Sequence, residues 1–253
     1  MSYATRVITT RFVLIAGVIF AIEWLCGSGR INTQTLLPPS QIATILVERL
    51  SSGAMTADIV ETFTTIAASF ALAVSVGLTV GVTLHAWPRL RRAVNPLLAS
   101  YYSIPFFVFY PLLIAIFGLN KIPLVLIGFV FAAAAMVMAT LNGLDRIPRS
   151  LEKTSRMMQL GPMRSVLFVR LPAAAPYLFA GLKLAVAYAF IGIIAGECIL
   201  SGGGLGYAIG YAYNNFDSQT MYSTMLFVLI VAVLINGGLG AWERRILRRR
   251  GRA

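Results

Sequence analysis

Charged and metal-binding residues are scarce in this sequence of 253 residues. Only 12% of the residues are charged, nine are acidic, one is histidine and two are cysteine. The nine carboxylates are widely dispersed, so the sequence does not support a paired-carboxylate catalytic site. Cys26 and Cys198 lack metal-ligand spacing and are predicted to be small buried hydrophobic residues. We therefore expect no enzyme active site, no metal and no cofactor on this chain.

Hydrophobic residues, in contrast, make up 58% of the chain, and its mean hydropathy is +0.80. A soluble domain of this length does not need so much apolar surface for one core. A membrane-spanning helix needs roughly 20 mainly apolar residues, and six segments qualify, at about 12–26, 59–86, 97–118, 123–143, 176–200 and 221–242. The first is short and contains Glu23, but no cleavage pattern follows it, so we interpret it as an uncleaved span. The sequence predicts an all-α integral membrane protein with six transmembrane helices.

The net charge of +12 comes from short basic clusters between the apolar runs. Lys and Arg side chains placed there would meet lipid phosphates, so we do not expect a nucleic-acid partner. Cytoplasmic loops collect Lys and Arg. With both termini in the cytoplasm, the opposite side keeps only Arg30, Arg49 and Lys121, and the cytoplasmic side holds Arg6, Arg11, Arg89, Arg91, Arg92, Arg146, Arg149, Lys153, Arg156, Arg164, Arg170 and the basic tail. This asymmetry predicts cytoplasmic N- and C-termini.

Prolines and glycines within the spans leave two interpretations open: tight helix packing, or a moving or cavity-lining bundle.

Two ionisable residues lie in the fifth span. Lys183 can reach the interface at one end, and Glu197 is about 21 Å farther along the helix. Glu197 is either an interfacial cap or a residue that faces a translocation route. The glycine run after it lacks the Lys-Ser/Thr ending and the strand of a phosphate loop.

Residues 147–172, here called the basic segment, separate the fourth and fifth spans. Pro148 and Pro162 suit first helical positions, which predicts two short helices at about 148–160 and 162–171 that meet at a Gly161-Pro162 corner. The first carries a basic stripe formed by Arg149, Lys153 and Arg156. Both carry apolar residues that something must cover, including Leu151, Met158, Val166, Phe168, Val169 and Leu171. The pattern fits a helix in lipid headgroups and a docking element for a cytoplasmic partner equally well.

The end of the basic segment, Val169-x-Leu171-Pro172, resembles the I-x-L-P ending of the EAA motif in bacterial ABC importer permeases. Aligned without gaps, the E-A-A of that motif falls on Lys153, Thr154 and Ser155, its frequent Arg on Arg156 and its Gly on Gln159. The ending therefore matches and the beginning departs, since Glu152 and Gly161 are displaced by one and two positions.

Three further stretches resemble the nitrate, sulfonate, taurine and thiamine-precursor branch of these permeases. LLPPSQI at 36–42 is similar to its L-P-S-P loop, and residues 103–123 resemble its I-P-x-x-x-x-x-P-L-x-x-x-x-F-G region. GECILSGGGLGYAI at 196–209 resembles its A-E-x-x-x-x-x-x-G-L-G-Y segment. Because the motifs occur in the right order with spans between them, the resemblance covers nearly the whole chain.

The resemblance implies a type I ABC importer transmembrane domain in the bacterial inner membrane. Such a permease usually forms a homodimer, with two ATP-binding subunits that hold ATP and Mg and with a periplasmic or lipid-anchored substrate-binding protein. The implied divisions are an N-terminal span and periplasmic loop (1–55), a transmembrane core (56–243) with coupling element 147–172, and a basic cytoplasmic tail (244–253). The implied substrate is a small solute of the nitrate, sulfonate and taurine class or a pyrimidine thiamine precursor.

The same resemblance supplies candidate site residues. Those expected to couple to the ATPase are Leu151, Lys153, Thr154, Ser155, Arg156, Met158, Gln159, Gly161, Val169, Leu171 and Pro172. Those expected on the translocation path or its gate are Tyr102, Ser103, Pro105, Glu197, Ser201, Gly204 and Gly206. The rival hypothesis is a self-contained secondary transporter or channel, which would be expected to show more intramembrane charge and internal repeats; no convincing repeat is present.

Overall fold

A computed structural model describes residues 3–28, 36–199 and 201–249, and the regular structure in these ranges is helical throughout. Arg30, from the predicted outer set, and Leu200, from the predicted fifth span, lie outside the described residues, as does the end of the tail. The helices are α1 (Tyr3–Gly27), α2 (Pro39–Ser51), α3 (Thr56–Ala86), α4 (Pro88–Ser100), α5 (Tyr110–Phe117), α6 (Lys121–Asp145), α7 (Arg149–Met157), α8 (Pro162–Ser165), α9 (Leu171–Ile199), α10 (Leu205–Asn214) and α11 (Ser218–Arg249).

Four helices among the described residues are long and apolar enough to cross a membrane. They are Thr56–Ala86, Lys121–Asp145, Pro162–Ile199 and Ser218–Arg245, at the positions of the predicted second, fourth, fifth and sixth spans. Shorter apolar helices, Val13–Gly27 and Phe106–Phe117, lie at the positions of the first and third. The all-helical membrane fold is confirmed, and the count of six spans stays a prediction.

The predicted third span, 97–118, is not one continuous helix. α4 ends at Ser100, short 3₁₀ turns follow at 101–103 and 106–109, and Ile104 between them is extended with ψ 121°. Pro105 explains the break, because the residue before a proline is disfavoured in the helical region and proline has no N–H to donate. The third span is therefore a broken helix.

The core of the bundle is formed by α3, α6 and α9, which approach each other through small residues. A Cβ atom added to Gly77 of α3 would lie 2.6 Å from the Cβ of Met136 on α6, and one on Gly181 of α9 would lie 2.3 Å from that of Ala139. Such contacts are too short for any side chain. Tight helix packing, one of the two interpretations of the glycines, is confirmed at these positions.

The second predicted helix of the basic segment does not end at residue 171. It continues through a π-helical turn, Val166–Arg170, into α9, so that Pro162–Ile199 forms one helix of 38 residues. Pro172 has no N–H for the carbonyl of Phe168, and the widened turn absorbs this loss without ending the helix. A helix of this length spans about 57 Å, which exceeds the hydrocarbon core of about 30 Å.

The last long helix, α11, is the least buried of the four long apolar helices. Only 6% of its most apolar stretch is buried, against 56% for α6. At its start, Arg49 of α2 donates a hydrogen bond to Thr220. Near its other end, Lys183 of α9 pairs with Glu243 instead of reaching free solvent. We call the end of the bundle at the basic segment the basic end, and the end at residues 201–206 the glycine end.

Candidate functional site

At the glycine end, Glu197 is buried near the last turn of α9, with 1% of its surface exposed. The Thr62 hydroxyl on α3 lies 2.8 and 3.0 Å from the two carboxylate oxygens, and the Gly206 N–H donates to one of them at 2.9 Å. The Thr62 oxygen in turn accepts from the Leu205 N–H at 2.8 Å. A buried carboxylate needs such donors, because charge-assisted hydrogen bonds replace the water that it loses.

These hydrogen bonds cap the start of α10. The first N–H groups of a helix have no partner within it, and here Leu205 and Gly206 donate theirs to Thr62 and Glu197. The Gly204 N–H donates to Asp58 Oδ1 at 3.2 Å. Side chains from α3 and α9 therefore hold α10 in place, and the role of Glu197 in the translocation path stays a prediction.

Two glycines of the run, Gly203 and Gly204, lie with their backbone directly against carboxylates. A Cβ on Gly203 would lie 2.7 Å from Glu61 Oε2, and one on Gly204 would lie 2.5 Å from Glu197 Cδ. Gly204 also has a φ of +98°, in the region that favours glycine. Ser201 closes the turn, donating from its hydroxyl to the Gly203 carbonyl at 2.7 Å.

The predicted path residues fall into two groups. Glu197, Ser201, Gly204 and Gly206 share the glycine end. Ser103 and Pro105 are exposed in the broken third span, and the hydroxyl of neighbouring Tyr101 donates to the Val130 carbonyl near the middle of α6. The side chain of Tyr102 lies outside the described residues. The break therefore lies at the level of Val130, within the length of α6.

At the basic end, α7 and the start of the long helix form a rigid corner. The hydroxyls of Ser155 and Ser165 are buried and lie 2.7 Å apart, which ties the two arms together. The predicted basic stripe is exposed, whereas Leu151, Val169 and Leu171 are half-buried. The apolar side chains that nothing covers are Met157, Met158, Met163, Leu167 and Phe168, exposed by 84%, 65%, 70%, 52% and 72%.

Gln159 adopts the left-handed backbone conformation, with φ of +51°. The Leu160 N–H donates to the Ser155 carbonyl at 3.2 Å and the Gln159 N–H to that of Arg156 at 3.0 Å. This is the Schellman pattern, in which the left-handed residue is usually glycine. The gapless alignment places the glycine of the EAA motif at this residue. The left-handed backbone explains why the motif has glycine at that position.

Replacing Gln159 with glycine is expected to stabilise the protein by about 1 kcal/mol, because glycine adopts this conformation without steric cost. The midpoint of thermal unfolding in detergent should rise by roughly 2–4 °C. Gly161→Ala is the control, since Gly161 has a negative φ and open space around it. A Gln159→Gly protein no more stable than the parent would contradict the assignment.

One polar cluster at the basic end was missed by sequence reasoning. Asp145, the last residue of α6, accepts hydrogen bonds from Arg91 of α4 at 2.7 and 2.6 Å and lies 3.3 Å from His85 Nδ1 of α3. These hydrogen bonds raise the pKa of Arg91 above its ordinary value. The cluster joins three helices just before the basic segment. No local pattern signals a pair 54 residues apart.

No group of histidine, cysteine and carboxylate side chains within the described ranges could hold a metal ion. The remaining features are a close-packed apolar bundle, a broken helix within it, and a rigid segment that projects from one end. Together they define a helical membrane protein of the transport class.

The chain belongs to the family of binding-protein-dependent transport system inner membrane components, whose model matches residues 73–252. The resemblance to ABC importer permeases is thereby confirmed. The nitrate import permease NrtB of Leptolyngbya laminosa is 25% identical over 72% of this chain and 65% of its own length. The bicarbonate transport permease CmpB of Synechococcus elongatus is 26% identical over 75% of this chain and 68% of its own length. This chain thus spans about two thirds of those relatives.

Among solved structures, the MetNI methionine ABC transporter in an inward-facing conformation is similar to this fold. The TM-score is 0.66 at 25% sequence identity, and the match covers 75% of this chain and 94% of that chain. The type I importer fold predicted from the sequence motifs is supported by this likeness.

Proposed function

We propose that this chain is the permease subunit of an ATP-driven importer, and that a separate subunit binds and hydrolyses ATP. The observation that carries the proposal is the continuity of the helix Pro162–Ile199. Because the basic segment is an extension of a membrane helix, a force applied to it moves the helix instead of bending a loop. The buried Ser155–Ser165 contact makes the corner rigid.

The exposed apolar surface at this corner suits a protein partner. Met157, Met158, Met163 and Phe168 are exposed on the same two arms as the basic stripe, so an ATP-binding subunit with an apolar groove and an acidic rim would cover both features. We propose two such subunits, one for each copy of a permease homodimer. The basic end then lies in the cytoplasm of a bacterium, in agreement with the distribution of Lys and Arg.

The broken third span supports a translocation path between the two copies. Backbone groups freed by a break at membrane depth are tolerated where they line a cavity, and the backbone around Ile104 and Pro105 is such a break. We place Ser103 and Pro105, with Tyr102, on this path. A substrate-binding protein would deliver the solute at the glycine end. Relatives named for nitrate and bicarbonate favour a small oxyanion within the wider class that includes sulfonates, taurine and pyrimidines.

Replacing Met158 with aspartate tests the coupling assignment. Met158 is exposed, so the change leaves the fold intact but puts a charge into the proposed contact, and we expect co-purification of the ATP-binding subunit to fall at least tenfold. Phe216→Asp is the matched control, because Phe216 is 93% exposed at the glycine end. Membrane insertion should be normal in both variants.

Full assembly and transport by the Met158→Asp protein would contradict the coupling role. Transport by the chain alone in liposomes, driven by an ion gradient without ATP, would overturn the importer proposal and support the secondary transporter.

A further inference from the structure

A groove of about 550 Å³ runs between α9 and α11. Its walls are almost entirely apolar, with Asn236 at the end toward the basic segment and Cys198 at the other. Neither the family nor the proposed coupling role assigns anything to this groove. Its dimensions and its surroundings identify what can occupy it.

The shape of the groove suits a hydrocarbon chain. The lining residues of α9 run from Val186 to Cys198, a rise of about 18 Å, so the groove is elongated. A polymethylene chain, about 4 Å wide at van der Waals contact, can lie along it.

Contacts at both ends of α11 hold it beside α9 and leave the groove between them. Arg49 holds Thr220 at one end. At the other, Lys183 pairs with Glu243, and the Phe179 and Trp242 rings pack edge to face at 5.2 Å. Between these contacts the outer surface of α11 is open to the bilayer, with Leu229 and Val233 more than half exposed. A lipid chain can therefore enter from the side.

Arg244 lies on the same face of α11 as Asn236, which is at the polar end of the groove. Asn236, Gly240 and Arg244 follow at intervals of four residues and share one face of the helix. The Arg244 guanidinium folds back over Gly240, where its Nη1 would lie 3.9 Å from an added Cβ. The guanidinium thus leans toward the groove from the basic end, where basic side chains that follow an apolar helix attract lipid phosphates.

We propose that this groove is a phospholipid-binding site. One acyl chain lies between α9 and α11, the ester region is near Asn236, and the phosphate is held by Arg244. Guanidinium groups bind phosphate with two parallel hydrogen bonds, which suits this role. The site is independent of the coupling surface, so its test does not depend on the proposed function.

Native mass spectrometry of the full chain tests the site. The protein is reconstituted with phosphatidylethanolamine and phosphatidylglycerol, extracted in a delipidating detergent, and the phospholipids that remain bound are counted. About one phospholipid per chain should remain in the parent. Ala232→Phe, which fills the groove, and Arg244→Gln, which removes the cation, should each reduce this occupancy at least fivefold. Val233→Phe and Arg245→Gln are the matched controls, adjacent on α11 but outside the site, and should retain the lipid.

Unchanged lipid retention in both Ala232→Phe and Arg244→Gln would overturn the proposal, as would equal losses in the controls. Occupation by a second copy of the chain has a distinct signature. In a Cys26→Ser background, oxidative cross-linking of two chains through Cys198 would place a protein in the groove and exclude the lipid. Absence of this cross-link, together with loss of lipid in the two variants, would support the site.

Discussion

Replacing Gly204 with alanine is expected to disrupt the glycine end and abolish transport, whereas the same change at Gly202 should have little effect. The new methyl group would lie 2.5 Å from Glu197 Cδ and 2.6 and 2.7 Å from its carboxylate oxygens. The carboxylate cannot move aside, because Thr62 and Gly206 hold it. The left-handed backbone at φ +98° adds a further steric cost. Together we expect a loss of about 3 kcal/mol or more.

The measurement is thermal unfolding of the purified proteins in detergent, followed by transport in liposomes. A loss of this size corresponds to a decrease of roughly 6–12 °C in the unfolding midpoint. Gly202→Ala is the matched control, since no atom lies within 4 Å of a Cβ built there. Equal midpoints for the two variants would show that the loop rearranges freely and that the contact with Glu197 is unimportant.

How well each part of this fold could be predicted depends on the physics of that element. Four spans were located correctly because a long apolar run has few alternatives to crossing a bilayer as a helix. The exact course of the third could not be predicted, since counting apolar residues is insensitive to the effect of Pro105 on Ile104. The basic segment was recognised, but its second helix was ended too early. A π-helical turn before Pro172 preserves a helix that local rules would terminate.

For the candidate sites too, the sequence indicates individual residues but not their distant partners. Glu197 was a candidate from the sequence because a carboxylate within a span is costly. Its hydrogen-bond partner Thr62 is 135 residues away in the chain, and that pairing depends on how α3 and α9 pack. The left-handed conformation of Gln159 could have been inferred from the alignment with the EAA motif. That motif has glycine at this position, and glycine often marks a residue with positive φ. Alignment can transmit such local geometry, whereas long-range pairing requires the structure.

Replacing Glu197 with leucine is the second change expected to have a large effect, and it distinguishes a cap from a gate. Leucine accepts no hydrogen bond, so the Thr62 hydroxyl and the Gly206 N–H would lose their buried partner. Such unsatisfied groups cost about 1–3 kcal/mol each, which predicts a total loss of about 2–6 kcal/mol and at least tenfold slower transport. Glu197→Gln keeps one acceptor oxygen and should lose about half as much stability.

A double-mutant cycle makes the comparison quantitative. If the carboxylate acts by holding α10, Thr62→Val should cost less in the Glu197→Leu background than in the parent, with a coupling energy of about 1–3 kcal/mol. Transport should then follow stability across the whole series, because the role is structural. A Glu197→Gln protein that unfolds at the parent's midpoint but does not transport would contradict the cap. That result would instead make the carboxylate part of the gate, since only a group used during the transport cycle can fail without weakening the fold.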